Sequence, residues 1–412
     1  MILQGCVLGA RTKDPAPTRA DLITRFFTQK AFNLEAKNVD QFLASSSADA
    51  RAVEDPIARG LVSAPVTGVT MTVNTNEVND TVLRLPELHV EIGYEYEGPP
   101  ADNHFRIPLT YSLTQRGNNF KVDKVQIQQG ARLPIWANGP LGSSRSEHFL
   151  ALYRPGTPEP GKALQLAEQA RGELSSKLTQ PIDQVQVLLL ARDRAEYQAF
   201  SAHETPNTAI AEAETSFQVT PTEIKVEGRQ VVVNLQRLYQ DGSAVETFQH
   251  ELGHLALAPE TRPFTPAWVT ESAAMFLAGT HPVAVWRAGL NQHKFESISF
   301  AELNRASSLG AHDPTGQAAT YEYAYSEAGA LFLIESFGRQ RFFEFYDSFA
   351  AVPPNVLYER LPQGQIASDD SPEVTTLAQK TAVESLQRIF GFDENQLDLK
   401  TRAWIRSAIK KG

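Results

Sequence analysis

The sequence predicts an α+β chain in two parts: a cone-shaped N-terminal α+β domain with a curved antiparallel sheet, then a sheet leading to a histidine-bearing helix and a mostly helical C-terminal part. Three observations predict it. Helical apolar spacing over residues 19–46 gives way to alternating apolar residues over 83–127, the order of a helix pair followed by a meander. A stretch rich in Gly, Pro and Ser, from Gly130 to Ser146, separates that block from the rest. Beyond it, strand, helix, strand and strand patterns run into His250-Glu251-Leu252-Gly253-His254, after which helical spacing dominates.

In the first part, Leu22, Ile23, Phe26 and Phe27, then Val39, Phe42 and Leu43, recur at helical steps. Leu83 and Leu85, then Leu88, Val90, Ile92, Tyr94 and Tyr96, mark every second position of two short runs. Phe105, Ile107, Leu109, Tyr111 and Leu113 alternate up to a turn at Arg116-Gly117-Asn118-Asn119, and a return strand follows from Phe120 to Ile127. This order over residues 19–130, closing on Phe120-Lys121-Val122-Asp123-Lys124-Val125, resembles the SnoaL-like or nuclear-transport-factor-two-like fold. The resemblance implies a bent sheet around helices with a pocket between them. No catalytic set assembles in this region, so a spacer or ligand-binding accessory domain is expected.

Residues 131–145 are expected to be a linker, with the second domain spanning 146–412. His148, Leu150 and Leu152 alternate with Phe149, Ala151 and Tyr153 as a strand, Ala163 to Leu178 is an amphipathic helix, and Val185 to Leu190 and Val231 to Leu235 are buried strands.

Composition is that of an ordinary globular chain, with 42% hydrophobic and 21% charged residues, and 412 residues suffice for two or three domains. The formal charge of -10, from 38 basic and 48 acidic side chains, argues against nucleic acid or an anionic membrane surface as the main partner. No run of about 18 apolar residues is present to span a membrane. Cys6 is the only cysteine, which excludes intrachain disulfides and cysteine-ligated structural zinc. Leu3-Gln4-Gly5-Cys6 resembles a bacterial lipoprotein cleavage box, with Arg11 to Thr18 as the polar tether after it, so residues 1–18 are expected to be a tether. The resemblance implies a lipid anchor at Cys6 and an extracytoplasmic place at the bacterial cell envelope. Only five residues stand before Cys6, whereas a signal peptide needs a charged start and about 7 to 15 apolar residues, so either the start has been trimmed or misplaced, or the likeness is accidental.

The chemistry concentrates in His250-Glu251-Leu252-Gly253-His254. On a helix, positions i and i+4 share a face, so both imidazoles can address one zinc ion while Glu251 reaches a water bound to it. Val245, Phe248, Leu252 and Leu255 form the apolar stripe, Asp241-Gly242-Ser243 offers a capped start, and Pro259 a stop. A catalytic zinc takes three protein ligands and keeps one position open. Glu271 is the best third ligand: Pro266 can open a second helix, and small residues follow the glutamate and can pack tightly. Asp313 is too isolated to compete.

The pairing of this motif with Pro266-Ala267-Trp268-Val269-Thr270-Glu271-Ser272-Ala273-Ala274 resembles the gluzincin metallopeptidases, and within them the bacterial peptidase MA-like domains. Their second motif runs P-x-W-[LIV]-x-E-G-x-A, and Ser272 stands where it has Gly. Glu260 falls where a metzincin would place its third ligand, but that ligand would be His and the required glycine is Leu257 here. The resemblance extends over about residues 145–412, through Tyr323-Ala324-Tyr325-Ser326 and an apolar helix ending at Phe337-Gly338, to Leu386-Gln387-Arg388-Ile389-Phe390-Gly391 and Trp404-Ile405. It implies that His250, His254 and Glu271 hold Zn2+, that Glu251 is the general base, and that the substrate is a peptide or protein. Tyr323, ahead of Tyr325, would stabilise an oxyanion, although both could equally be core aromatics. In zincins an edge strand commonly holds the substrate, and the segments near Gln230-Val231-Val232-Val233-Asn234 or Phe217-Gln218-Val219 could do so here. Two other readings stay open: a zinc-fold binding or sensor module with weak or no peptidase activity, and small-ligand binding by the N-terminal cone.

Overall fold

Residues 19–63 form three helices: α1 (Arg19–Glu35), α2 (Val39–Leu43) and α3 (Ala48–Ser63). Thr18 caps α1 reciprocally with Asp21: the Thr18 hydroxyl accepts from the Asp21 N–H, and the Asp21 carboxylate accepts from the Thr18 N–H at 2.8 Å. The spacing argument stopped before α3, which carries Pro56 in its interior, a residue normally read as a helix end. The computed structural model describes residues 17–78, 82–99, 103–128, 134–178, 182, 184–201, 209–279, 283–306, 308–310, 317–361 and 371–411. Cys6, the rest of its box, most of the expected tether, and Asp313 lie outside them.

A four-stranded sheet follows in the order β1 (Val66–Val73), β2 (Arg84–Tyr96), β3 (His104–Arg116), β4 (Asn119–Ile127). The two short runs expected over 83–96 are one strand of 13 residues, because Pro86 and Glu87 interrupt the alternation without ending the pairing. β3 and β4 are antiparallel and meet at Arg116 and Asn119, and Gly117 takes φ +61° in the tight turn between them.

The second sheet has the order β5-β6-β7-β9-β8, from β5 (Gly142–Arg145), β6 (Phe149–Tyr153), β7 (Gln186–Ala191), β8 (Ala211–Val219) and β9 (Ile224–Asn234). Its ladders are antiparallel, parallel, parallel and antiparallel, so the sheet is mixed. β7 is buried along its whole length, as a strand flanked on both edges and both faces must be. Residues 142–145, expected as linker, form β5; its sequence Gly-Ser-Ser-Arg has no apolar residue to betray a strand. β9, one of the two segments considered for an added strand, is interior; β8, which holds the other, is an edge strand, as β5 is on the opposite side.

Helices α4 (Pro160–Ser175), α5 (Arg194–Phe200) and α6 (Leu235–Asp241) accompany this sheet. Then come α7 (Ala244–Leu257), α8 (Ala267–Ala278), α9 (Val283–Asn291), α10 (Phe300–Leu303), α11 (Gln317–Phe337), α12 (Arg339–Ala350), α13 (Pro354–Tyr358), α14 (Pro372–Phe390) and α15 (Glu394–Lys411). The molecule is thus mixed α and β with a helical C-terminal part. None of the described helices is long and apolar enough to cross a membrane. The described residues fall into two compact units, those within 17–62, 66–94 and 106–128 in one, and those within 63–65, 95–105 and 134–411 in the other.

Candidate metal centre

α7 carries the first motif and α8 the second, and the two helices pack side by side. Gly253 makes the approach close: a methyl at its Cα would touch the Ala274 Cα at 3.4 Å, so any side chain larger than Ala would force the helices apart. α8 is apolar nearly all round, with Trp268, Val269, Ala273 and Ala274 fully buried, as a helix enclosed by neighbours must be. One turn before Glu271, the Trp268 Nε1–H donates to Asn304 Oδ1 at 2.7 Å and the ring packs against Phe300 and Phe345, which fixes the rotation of α8. Ser272, in place of the Gly of the resembled motif, is fully buried and turns its hydroxyl to the Val269 carbonyl at 3.3 Å, so the substitution leaves no unpaired hydroxyl.

Three side-chain atoms converge from these two helices. His250 Nε2 lies 3.0 Å from Glu271 Oε2, His254 Nε2 lies 3.3 Å from the same oxygen, and the two Nε2 atoms are 3.2 Å apart. The rings stand edge to face at 82°, with both Nε2 atoms within 3.3 Å of the same carboxylate oxygen. Zinc bonds of about 2.0 to 2.2 Å in tetrahedral geometry put neighbouring ligand atoms about 3.4 Å apart, close to the observed spacing. The donor set, two imidazoles and one carboxylate, is that of a catalytic zinc site. Among the described residues this is the group of His, Cys, Asp and Glu side chains arranged to hold a metal ion. Glu260 is not in it.

Burial by itself would raise the Glu271 carboxyl, but the His254 charge and hydrogen bonds from both imidazoles outweigh it and hold the group well below the usual carboxylate range. For His250 the balance runs the other way: burial lowers it, and the Glu271 hydrogen bond with the charges of Glu251, Glu271 and Glu327 raise it above its ordinary value. Glu251, only 6% exposed, is raised by burial against the pull of His250 and His254. Its Oε2 accepts the Ala213 backbone N–H at 2.7 Å.

The two tyrosines left open by the sequence differ in their surroundings, although both pack against the helical core. Tyr325 is core: its ring stacks on Phe300 at 5.2 Å and its hydroxyl donates to Asp398 Oδ1 at 3.0 Å. Tyr323 feels Glu271, Glu251 and Glu212, and burial together with those charges pushes its phenol far above the ordinary range, so it stays protonated and able to donate. Sequence reasoning missed Glu212 on β8. Burial, then Glu214, Glu251 and Glu271, push its carboxyl up to about 8, and its Oε2 is buried without a hydrogen-bond partner among the described residues. The signal was there: Glu212 and Glu214 sit two apart on one face of a strand, where glutamate is disfavoured.

No family model and no curated protein matches this chain. Among solved structures, a glutamate-to-alanine mutant of the M1 zinc metallopeptidase from Deinococcus radiodurans is similar at 12% identity and TM-score 0.30, covering 71% of this chain and 58% of that one. The same mutant bound to a Tyr-ser-ala substrate gives 11% identity and TM-score 0.30 over the same shares. The M1 zinc metallopeptidase itself gives 9% and 0.30, covering 78% of this chain and 90% of that one. The chain therefore spans 58% of the length of the first two.

Proposed function

We propose that this chain is a zinc-dependent peptidase, in which His250, His254 and Glu271 hold the ion and Glu251 is the general base. The observation that carries this reading is the convergence of the three ligand atoms, each 3.0 to 3.3 Å from the next, with a buried carboxylate on the residue beside His250. The two ring nitrogens also lie 3.2 Å from each other, so that all three atoms surround one spot where a cation fits.

When bound, zinc supplies a Lewis acid that polarises a carbonyl and makes water acidic near neutral pH. Glu251 takes the proton of the attacking water and returns it to the leaving amine; a carboxyl raised by burial suits a group that must both accept and release a proton. Tyr323 donates its phenolic hydrogen to the oxygen that gains negative charge. The free edge of β8, beside α7, offers main-chain hydrogen bonds to an extended peptide. The chain's first unit is an accessory module in this scheme.

Cleavage of casein, an unstructured substrate, should be abolished by a chelator and restored by zinc. A chain that binds one zinc ion and leaves casein intact would favour a binding module instead.

A further inference from the structure

We infer that the backbone amide of Ala213 is the positioning group for Glu251, gripping one carboxylate oxygen so that the other stays turned toward the attacking water. This rests on the peptidase reading above. Backbone groups of a strand face alternately to its two sides. On the segment entering β8, the Ile210 carbonyl accepts from the Asn234 N–H at 2.8 Å, so Ile210, Glu212 and Glu214 direct their backbone groups toward β9. Ala211, Ala213 and Thr215 therefore direct theirs outward, to the free edge. The Ala213 N–H uses that freedom to reach α7, where it donates to Glu251 Oε2 at 2.7 Å.

Glu251 needs such a grip. Its side chain has three rotatable bonds, and ordering a glutamate costs rotamer entropy. The negative charge of Glu271 also repels it. A hydrogen bond to a carboxylate is among the stronger ones, and a main-chain donor locked into a ladder is well placed to make it. β8 then has two tasks, and they constrain each other: an extended peptide added to this edge finds Ala213 as an acceptor only, with its N–H already taken, and meets edge donors at Ala211 and Thr215.

Two measurements on the full chain test this. Amide hydrogen exchange comes first: in Glu251→Ala the Ala213 amide should lose at least about tenfold in protection while Glu212 and Glu214, which face β9, keep theirs. Unchanged protection at Ala213 would overturn the inference. The second is a main-chain ester, with lactate replacing alanine at 213 so that only the N–H is lost. It should lower kcat about 10- to 100-fold with KM and zinc content nearly constant, whereas the same replacement at Ala211, whose N–H is offered to the peptide, should raise KM instead. A 213 ester as fast as the parent would also overturn it. A parent that never cleaves counts against the peptidase reading, and the exchange comparison then decides whether Ala213 holds Glu251.

Discussion

Each of the two units buries charge, and they do it in opposite ways. In the first, Lys30 is 3% exposed, yet its ammonium meets Glu54 Oε1 at 3.0 Å, the Phe42 carbonyl at 2.7 Å and the Ser46 hydroxyl, and lies over the Phe42 ring. Glu54 in turn accepts from Ser46 and from the Tyr111 hydroxyl at 3.0 Å. The network is closed, with each charge matched inside the unit. In the second unit, Glu212, Glu251 and Glu271 crowd together, and the positive charge that acts on Glu251 and Glu271 among the described residues is that of His250 and His254. A closed network serves the fold; a cluster with surplus negative charge asks for a cation from outside.

That contrast can be broken by removing one partner from each. Lys30→Met strands Glu54 in the interior and should cost about 3 to 5 kcal/mol of stability in urea denaturation. Pairing it with Glu54→Leu should restore much of the loss; equal stability of Lys30→Met and the parent would mean the network is not holding the first unit. In the second unit, His250→Ala should weaken zinc binding by more than about 100-fold, since losing even an outer-shell partner costs 10- to 100-fold. Competition with a colorimetric chelator reads this directly. Trp268→Phe keeps an aromatic side chain, though a smaller one, but leaves Asn304 Oδ1 without its indole donor, and should cost at least about 1 to 3 kcal/mol in the same denaturation assay.

The smallest effect is the sharpest test of surplus charge. Glu212 titrates near 8 when folded against an ordinary value of 4.5, so the folded state holds a proton that the unfolded state has released. Its contribution is present below 4.5 and lost as pH rises toward 8. The metal-free parent should therefore lose stability across that window, and Glu212→Gln should lose less. Parallel curves for the two would remove Glu212 from the cluster.

What was legible in the sequence follows from how local the determinants are. His250 and His254 share a helical face by spacing alone, and Glu271 sits in a segment whose Pro266, Trp268 and small residues announce a packed helix. Tyr323 and Tyr325 could not be separated, because which side of α11 meets α8 is decided by packing. The free edge was equally hidden: β9 has the apolar run of a strand, and only the pairing order places it inside the sheet with the glutamate-bearing β8 outside. Ala213 gave no sign at all, since its backbone N–H does the work.

The central claim is that one helix turn holds two of the three metal ligands and the base. The direct measurement is casein cleavage by the parent and by Glu251→Gln at equal zinc occupancy. The account predicts one zinc per chain in both and a fall in cleavage of at least about 10³-fold in the variant. Cleavage at parental rate by zinc-loaded Glu251→Gln would contradict it.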